Sequence, residues 1–152
     1  MKNQDFDLKL TIEKKMAESL RQIVTLNNEK EQMSKDHQKR IDEIFTEFLI
    51  VLDTFEKSES IIKERGLDQD ENASKAIKRL LNAKKKTLSV LEKFNVKKIE
   101  FEDGMVDDDI CTTVEIEPDS NRKNGEIISV EKNGYMRNGH LIRRAEVVVV
   151  KN

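Results

Sequence analysis

Hydrophobic residues follow one period in the first part of the chain and another in its last third. Up to Phe94 they recur three or four residues apart, and from Val96 onward they alternate with polar residues in short runs. Spacing of three and four is typical of a helix face, and alternation is typical of a half-buried strand. The pattern predicts an α+β chain in which long helices precede a small antiparallel β-domain.

The first 65 residues contain no glycine and no proline, although the chain has five glycines and one proline in all. Such a stretch, rich in Lys, Glu, Gln and Leu, has a high helix propensity and predicts one long helix. About 55 helical residues would extend on the order of 80 Å, longer than a domain of this size needs. We therefore expect a partner helix along its length.

Apolar residues in the second half of this helix form a heptad pattern. Phe48 lies seven residues from both Ile41 and Phe55, and Val51 lies seven residues after Ile44. The two rows are three residues apart, as the a and d positions of a coiled coil are. The pattern predicts a dimer interface formed with a second copy by Ile41, Ile44, Phe48, Val51 and Phe55.

The heptad frame fails toward the N-terminus, where polar residues occupy its positions between 27 and 37. The apolar step from Met33 to Ile44 is eleven residues, which favours a straight or slightly right-handed helix pair. We therefore expect residues 1–40 to form a weakly paired stalk.

A polar connection containing Gly66 leads to a second amphipathic stretch at residues 73–94. This helix can fold back on the end of the first, so that two chains would build a four-helix bundle at the dimer interface. The predicted organisation is a paired stalk at 1–40, the bundle at 41–95 and a compact β-domain at 96–152.

Short runs of β-branched residues predict the strands of the β-domain. The runs read VKKIEF, TTVEIEP, GEIISVEK and HLIRRAEVVVV, and glycine, asparagine or aspartate bounds them. Asn138-Gly139 has the residue types of a two-residue hairpin turn, in which positive φ is needed. We expect the turns of this domain to face outward.

Composition argues against some classes of partner. The formal net charge of −2 and the pI of 5.8 give no general attraction to nucleic acid or acidic membranes. The basic segment KRLLNAKKK keeps a nucleic-acid-binding dimer open as one alternative, and a structural coiled-coil scaffold is another. The start lacks a signal-peptide core and no later run could span a membrane, so we expect a soluble intracellular protein.

The sequence offers no pattern of residues for catalysis. Cys111 stands alone and is expected to be a packing residue, while His37 and His140 have no third ligand nearby. The triple acid at 107–109 lacks the spacing of a calcium loop. We expect no catalytic residues, no metal site and no cofactor.

Four stretches of the sequence belong together as motifs: FLIVLDTFEKS at 48–58 with its Val-Leu-Asp, TLSVLEKFNVKKI at 87–99, MVDDDICTTV at 105–114, and GYMRNGHLIRRAEVVVV at 134–150. The last contains a Gly-Tyr, a short turn and an Arg-x-Ala-x-Val pattern. In this order the four stretches resemble the GrpE family, the nucleotide exchange factors of DnaK-type chaperones. The sequence departs from the family at Arg79 and Asn95, where the family usually has glycine, and at His140, where it usually has arginine.

The resemblance implies a homodimeric co-chaperone of the stress response. It would bind the ATPase domain of a DnaK-type chaperone and promote ADP release, without enzymatic activity, direct nucleotide binding, nucleic acid or membrane. The expected place is the cytoplasm, or an organelle matrix of bacterial origin. The family's long helices also suggest heat sensing, and the irregular seam at 27–37 fits this.

The resemblance also implies which residues form or brace the turns that contact the chaperone. We expect His140 and Arg143 to make polar contacts with an acidic chaperone surface. The full expected set is Asn133, Gly134, Tyr135, Asn138, Gly139, His140 and Arg143, with Val149 adding apolar contact from the last strand.

Overall fold

The computed structural model describes residues 2–69 and 71–152, and the side chains of residues 7–67, 69 and 73–152. Helix α1 (Lys2–Glu64) is followed by a short 3-10 helix (Leu67–Gln69) and by α2 (Glu71–Lys93). The strands are β1 (Val96–Lys98), β2 (Cys111–Glu117), β3 (Ile127–Lys132), β4 (Tyr135–Arg137), β5 (His140–Arg143) and β6 (Ala145–Val150). The predicted long helix and the following antiparallel β-region are confirmed in outline.

Helix α1 continues for 63 residues because nothing in its sequence interrupts it. The helix ends at Glu64, and two residues later Gly66 has a φ of 60°, the left-handed conformation that glycine adopts without strain. The predicted polar connection follows, although its Asp70 lies outside the described residues. None of the described helices is both long enough and apolar enough to cross a membrane.

The chain divides into two units, Met1–Ile41 and Asp42–Asn152. The first unit consists of helix alone in the part that the structure describes. Large apolar side chains are exposed along it, namely Leu8, Leu10, Ile12, Met16, Leu20, Ile23, Val24, Leu26 and Met33. A single helix has no second element against which to bury such residues.

The second unit contains an apolar cluster that joins α1, α2 and the first three-stranded sheet. Its buried members are Leu49 and Leu52 of α1, Leu91 of α2, Val96 of β1 and Tyr135 of β4. An ion pair between Lys84 and Glu59, 2.6 Å long, also links the two helices. Lys84, and then Lys63, hold the pKa of Glu59 below its usual range.

The first sheet has the strand order β1-β4-β5, and both pairings are antiparallel. Asn138 and Gly139 connect β4 to β5 with φ values of 50° and 81°. The predicted two-residue hairpin turn is therefore confirmed. Strand β4 was not among the predicted runs, because three residues between two turn signals are too few to show an alternation.

The second sheet has the order β2-β6-β3, with β6 in the centre. Val147, Val148, Val149 and Val150 are all buried, as expected of a central strand covered on both faces. Strand β3 is antiparallel to β6, but β2 is parallel to it. The parallel pair corrects the purely antiparallel prediction, since alternation within a strand does not show the direction of its neighbour.

The predicted single run HLIRRAEVVVV is two strands in two sheets, β5 and β6, which are separated by Arg144. In the second sheet Cys111, Ala145, Val147 and Val149 form a separate buried cluster. The prediction that Cys111 is a packing residue is confirmed. Its thiol donates to the carbonyl oxygen of Asp107, and burial raises its pKa.

Asn95 ends α2 with a φ of 59°, the left-handed region that glycine adopts most readily. Its amide donates to the carbonyl of Glu92, which closes the last helical turn. Asparagine is the residue after glycine that visits this conformation most easily. Asn95 can therefore end the helix in the same backbone conformation as the glycine that the family usually has at this position.

Gly134 occupies a place where a side chain does not fit. An added Cβ would lie 2.6 Å from the backbone nitrogen of Ala145 and 2.8 Å from Cδ1 of Ile99. Because the backbone nitrogen cannot move aside alone, we predict that Gly134→Ala lowers the free energy of unfolding in urea by about 2 kcal/mol.

Gly66→Ala is the control for this prediction, since nothing lies within 4 Å of the Cβ that it adds. Its cost should be about 1 kcal/mol, from the left-handed backbone alone. A Gly134→Ala variant that is no less stable than Gly66→Ala would contradict the close approach.

Candidate functional site

The tip of the β4–β5 hairpin is the part of the predicted chaperone-binding set that reaches the surface. Asn138, Gly139 and His140 are all exposed there, and Leu141 beside them is 39% exposed. The structure therefore brings three of the predicted residues together on one projecting turn. Its surface offers an amide, an open backbone and an imidazole to a partner.

Arg143 lies at the other end of β5 and is held by helix α1. Its Nη1 and Nη2 atoms donate to the two carboxylate oxygens of Asp53, each at 2.7 Å. This parallel arrangement is the strongest form of an arginine–carboxylate pair. The side chain of Arg143 is 13% exposed and that of Asp53 is 25% exposed, so water screens the pair only partly.

The same guanidinium also fixes the connection between β3 and β4. Nε and Nη2 of Arg143 donate to the carbonyl oxygen of Asn133, at 3.1 and 2.8 Å. The guanidinium carbon lies 5.4 Å from the ring centre of Tyr135, a cation–π distance. Arg143 thus ties helix α1, the Asn133–Gly134 connection and strand β4 to one another.

A second arginine makes a corresponding link at the hairpin end. Nη1 of Arg137 donates to Oδ1 of Asp42 at 2.5 Å, and its guanidinium lies 5.4 Å from the ring centre of Phe45. Asp42 and Asp53 are eleven residues apart, about three helical turns, so they share one face of α1. The two Arg–Asp pairs flank the buried residues of α1 on that face.

Several members of the predicted set lie in the interior of the second unit. Gly134 and Tyr135 are buried, and Arg143 already binds Asp53 and Asn133. Val149 is 7% exposed and packs in the apolar cluster of the second sheet. Gly134 and the side chains of Tyr135, Arg143 and Val149 are largely buried within the unit, so these residues can brace the contacting turn.

Tyr135 has a further property that follows from its burial. Its side chain is 1% exposed, and its hydroxyl has no hydrogen-bond partner in the described part of the chain. Burial, with the Glu56 carboxylate as the next cause, raises the pKa of this hydroxyl well above its ordinary value. Tyr135 therefore stays neutral and acts as a packing residue beneath the hairpin.

The predicted dimer seam lies on a different face of α1 from the hairpin contacts. Ile44, Phe48 and Val51 are 64%, 44% and 49% exposed, whereas Ile41 and Phe55 are half-buried. Leu49 and Leu52 between them point into the apolar cluster. An exposed row of large apolar side chains at heptad spacing is what a helix pair would cover.

The sequence pattern does not identify three further residues of this site, namely Asp42, Asp53 and Arg137. Asp53 stands in the quoted Val-Leu-Asp segment, and Arg137 stands in the quoted GYMR segment. Their charges indicate that they could form ion pairs. The two residues of the Arg137–Asp42 pair are 95 positions apart, however, and those of the Arg143–Asp53 pair are 90 positions apart. No helical or strand period connects residues at such a distance.

The triple acid shows local bonding and no sign of a metal site. The backbone amide of Asp109 donates to Oδ1 of Asp107 at 2.9 Å, which closes a small turn. Among the described residues no group of three or more metal-binding side chains comes together. The two histidines lie in α1 and at the hairpin tip.

Comparison with known proteins adds the family. The sequence model of the GrpE family matches residues 2–151. A protein of Porphyromonas gingivalis named Protein GrpE is 33% identical over 109 residues, which cover 71% of this chain and 54% of that relative. The match thus spans about half the length of the relative. With almost its whole length matched by the family model, the chain belongs to the GrpE family.

Proposed function

We propose that the chain is an adenine nucleotide exchange factor that binds the ATPase domain of a DnaK-type chaperone and promotes the release of ADP. Membership of the GrpE family supports this proposal. The observation that carries it is the exposed β4–β5 tip, whose strands are fixed to α1 by two Arg–Asp pairs. A rigid projecting turn can hold a partner's cleft in one conformation.

The proposed mechanism is linkage without a covalent step. If the hairpin binds the open form of the nucleotide cleft better than the closed form, its binding shifts the chaperone toward the open form. The bound exchange factor then lowers the chaperone's affinity for ADP by the same factor by which bound ADP lowers its affinity for the exchange factor. Each factor of ten corresponds to about 1.4 kcal/mol of coupling free energy.

The predicted residues divide into two roles under this proposal. Asn138, Gly139 and His140 make the contact, because they are exposed at the tip. The bracing residues are Asn133, Gly134, Tyr135, Arg143 and Val149, together with Asp53. Only the chaperone binds the nucleotide, and the exchange factor requires no cofactor.

We predict that His140→Ala slows ADP release, because it removes a side chain that contacts the chaperone. The acceleration of ADP release should fall about fivefold to tenfold, which is the effect of losing one ordinary polar contact. The free energy of unfolding should stay within about 0.5 kcal/mol of the wild type, since His140 is exposed. Stopped-flow release of a fluorescent ADP analogue from the cognate chaperone measures the effect.

His37→Ala is the matched control, since His37 is also exposed but lies in α1 far from the hairpin in sequence. The His37→Ala variant should accelerate ADP release from the chaperone as much as the wild type does. If the wild-type chain itself leaves ADP release unchanged, a coiled-coil scaffold becomes the better explanation. A nucleic-acid-binding dimer would instead show an affinity for DNA that falls steeply with salt.

The proposal includes a homodimer in which Ile41, Ile44, Phe48, Val51 and Phe55 form the seam. The exposure of Ile44, Phe48 and Val51 supports it. With α2 packed beside α1, two copies would place four helices in one bundle at residues 41–95. Residues 1–40 would extend the pairing as a stalk, because their apolar side chains are exposed as well.

We predict that a charge in the seam separates the dimer. Phe48→Glu places a carboxylate in an apolar interface, where it costs several kcal/mol unless it is paired. Sedimentation equilibrium should then give the mass of one chain, while the wild type gives the mass of two.

Ile50→Glu provides the comparison, because Ile50 is 53% exposed but lies on another side of α1. It should leave the dimer intact. A wild-type chain that sediments as a monomer at micromolar concentration would contradict the seam.

Heat-dependent loosening of residues 1–40, which would lower exchange activity, belongs to the same proposal. The irregular apolar spacing between 27 and 37 supports it. Circular dichroism on heating would count against it if all helicity were lost together with the β-region. The proposed location is the cytoplasm or an organelle matrix of bacterial origin.

A further inference from the structure

Strand β2 is an edge strand with one side open. It pairs with β6 alone among the described strands. A strand with a neighbour on one side leaves a row of backbone N–H and C=O groups directed away from the sheet. Such a row can accept a further strand from another chain.

The open stretch is confined to the part of β2 after Cys111. The amide of Cys111 donates to the carbonyl oxygen of Asp107 at 2.9 Å, and its own carbonyl accepts from Nη1 of Arg144 at 3.4 Å. At residues 113–116 the described chain offers no hydrogen bond to the backbone beyond the ladder with β6. These residues therefore have unused bonding capacity along one edge.

This stretch carries two exposed apolar side chains. Val114, at which the register with β6 shifts between Thr113 and Glu115, is 50% exposed, and Ile116 is 52% exposed. Ile116 stands opposite Val149 in the register, so it lies on the sheet face that carries the second apolar cluster. An added strand with apolar side chains on that face would continue the cluster outward.

Charge restricts which strand could be added. Glu115 and Glu117 stand opposite Val148 and Val150 in the register, which places them on the other face of the sheet. Residues 100–119 as a whole carry nine acids and no base. A second copy of β2 would bring its own glutamates to this edge, and like charges on adjacent strands repel one another. A segment with basic side chains would be attracted.

We propose that the open edge of β2 at residues 113–116 binds an extended segment of a partner protein in which β-branched and basic residues alternate. The backbone of the segment pairs with the open edge of β2. Its β-branched side chains pack on Val114 and Ile116, while its basic side chains face Glu115 and Glu117. This surface is separate from the hairpin tip and goes beyond the proposed nucleotide exchange.

The test uses a short fluorescein-labelled peptide of alternating valine and lysine, titrated with the full chain and followed by fluorescence anisotropy. We expect saturable binding, and we expect no binding of the matched peptide of valine and glutamate. The double variant Val114→Ser, Ile116→Ser should bind about tenfold more weakly, because two cross-strand apolar contacts are lost. Both side chains are half exposed, so urea unfolding should show that this variant folds.

Two controls separate strand addition from other modes of binding. A peptide methylated on alternate backbone nitrogens keeps its charges but cannot complete the ladder, so its binding should be lost. Val130→Ser changes an apolar residue that is 40% exposed on β3, the opposite edge of the same sheet, and it should bind as the wild type does.

Three results would overturn the proposal. They are no binding of the valine–lysine peptide, equal binding of the methylated peptide, and weaker binding by the Val130→Ser variant alone. Because no chaperone is present, none of these results bears on ADP release.

Discussion

The ion pair between Arg143 and Asp53 is the interaction on which the hairpin's position depends. One guanidinium satisfies both oxygens of the carboxylate and the carbonyl of Asn133 at the same time. It joins the first helix of the chain to a strand near its end. Without Asp53 the partly buried guanidinium would keep only the carbonyl of Asn133, and without Arg143 the carboxylate would keep only the longer ion pair with Lys132, at 3.9 Å.

The apolar cluster beside this ion pair holds α1 and β4 together, and the two Arg–Asp pairs fix their relative position. Leu49, Leu52 and Tyr135 bring α1 and β4 together without fixing their register, because apolar contact has no direction. The Arg143–Asp53 and Arg137–Asp42 pairs add directional bonds at two points of the same helix face. Together they define where the β4–β5 tip stands on the second unit.

The hairpin contact and the proposed dimer seam use residues of α1 that lie close together in sequence but on different faces of the helix. Asp53 holds the hairpin, while Val51 and Phe55 belong to the proposed dimer seam. A substitution that disturbs the helix locally would therefore affect both the hairpin and the seam. This closeness is why exposed residues such as His140 are better probes of partner contact than residues of α1.

Local features of the fold could be predicted from the sequence, and nonlocal ones could not. The absence of glycine and proline gave α1, helical spacing gave α2, and Asn138-Gly139 gave the hairpin turn, since each depends on neighbouring residues only. The parallel β2–β6 pair and strand β4 depend on contacts across the chain. Alternation also could not show that Arg143 and Tyr135 face inward.

Under the proposed function, Asp53 and Arg143 act as one unit that holds the hairpin in place for the chaperone. The most direct test is a double-mutant cycle in the stopped-flow release of a fluorescent ADP analogue, with Asp53→Asn, Arg143→Gln and the double variant. The account predicts that the double variant is no slower than the slower single variant, because the second change removes an interaction that is already lost. If the double variant instead slows ADP release by the product of the two single effects, the two residues act independently and the proposal is contradicted.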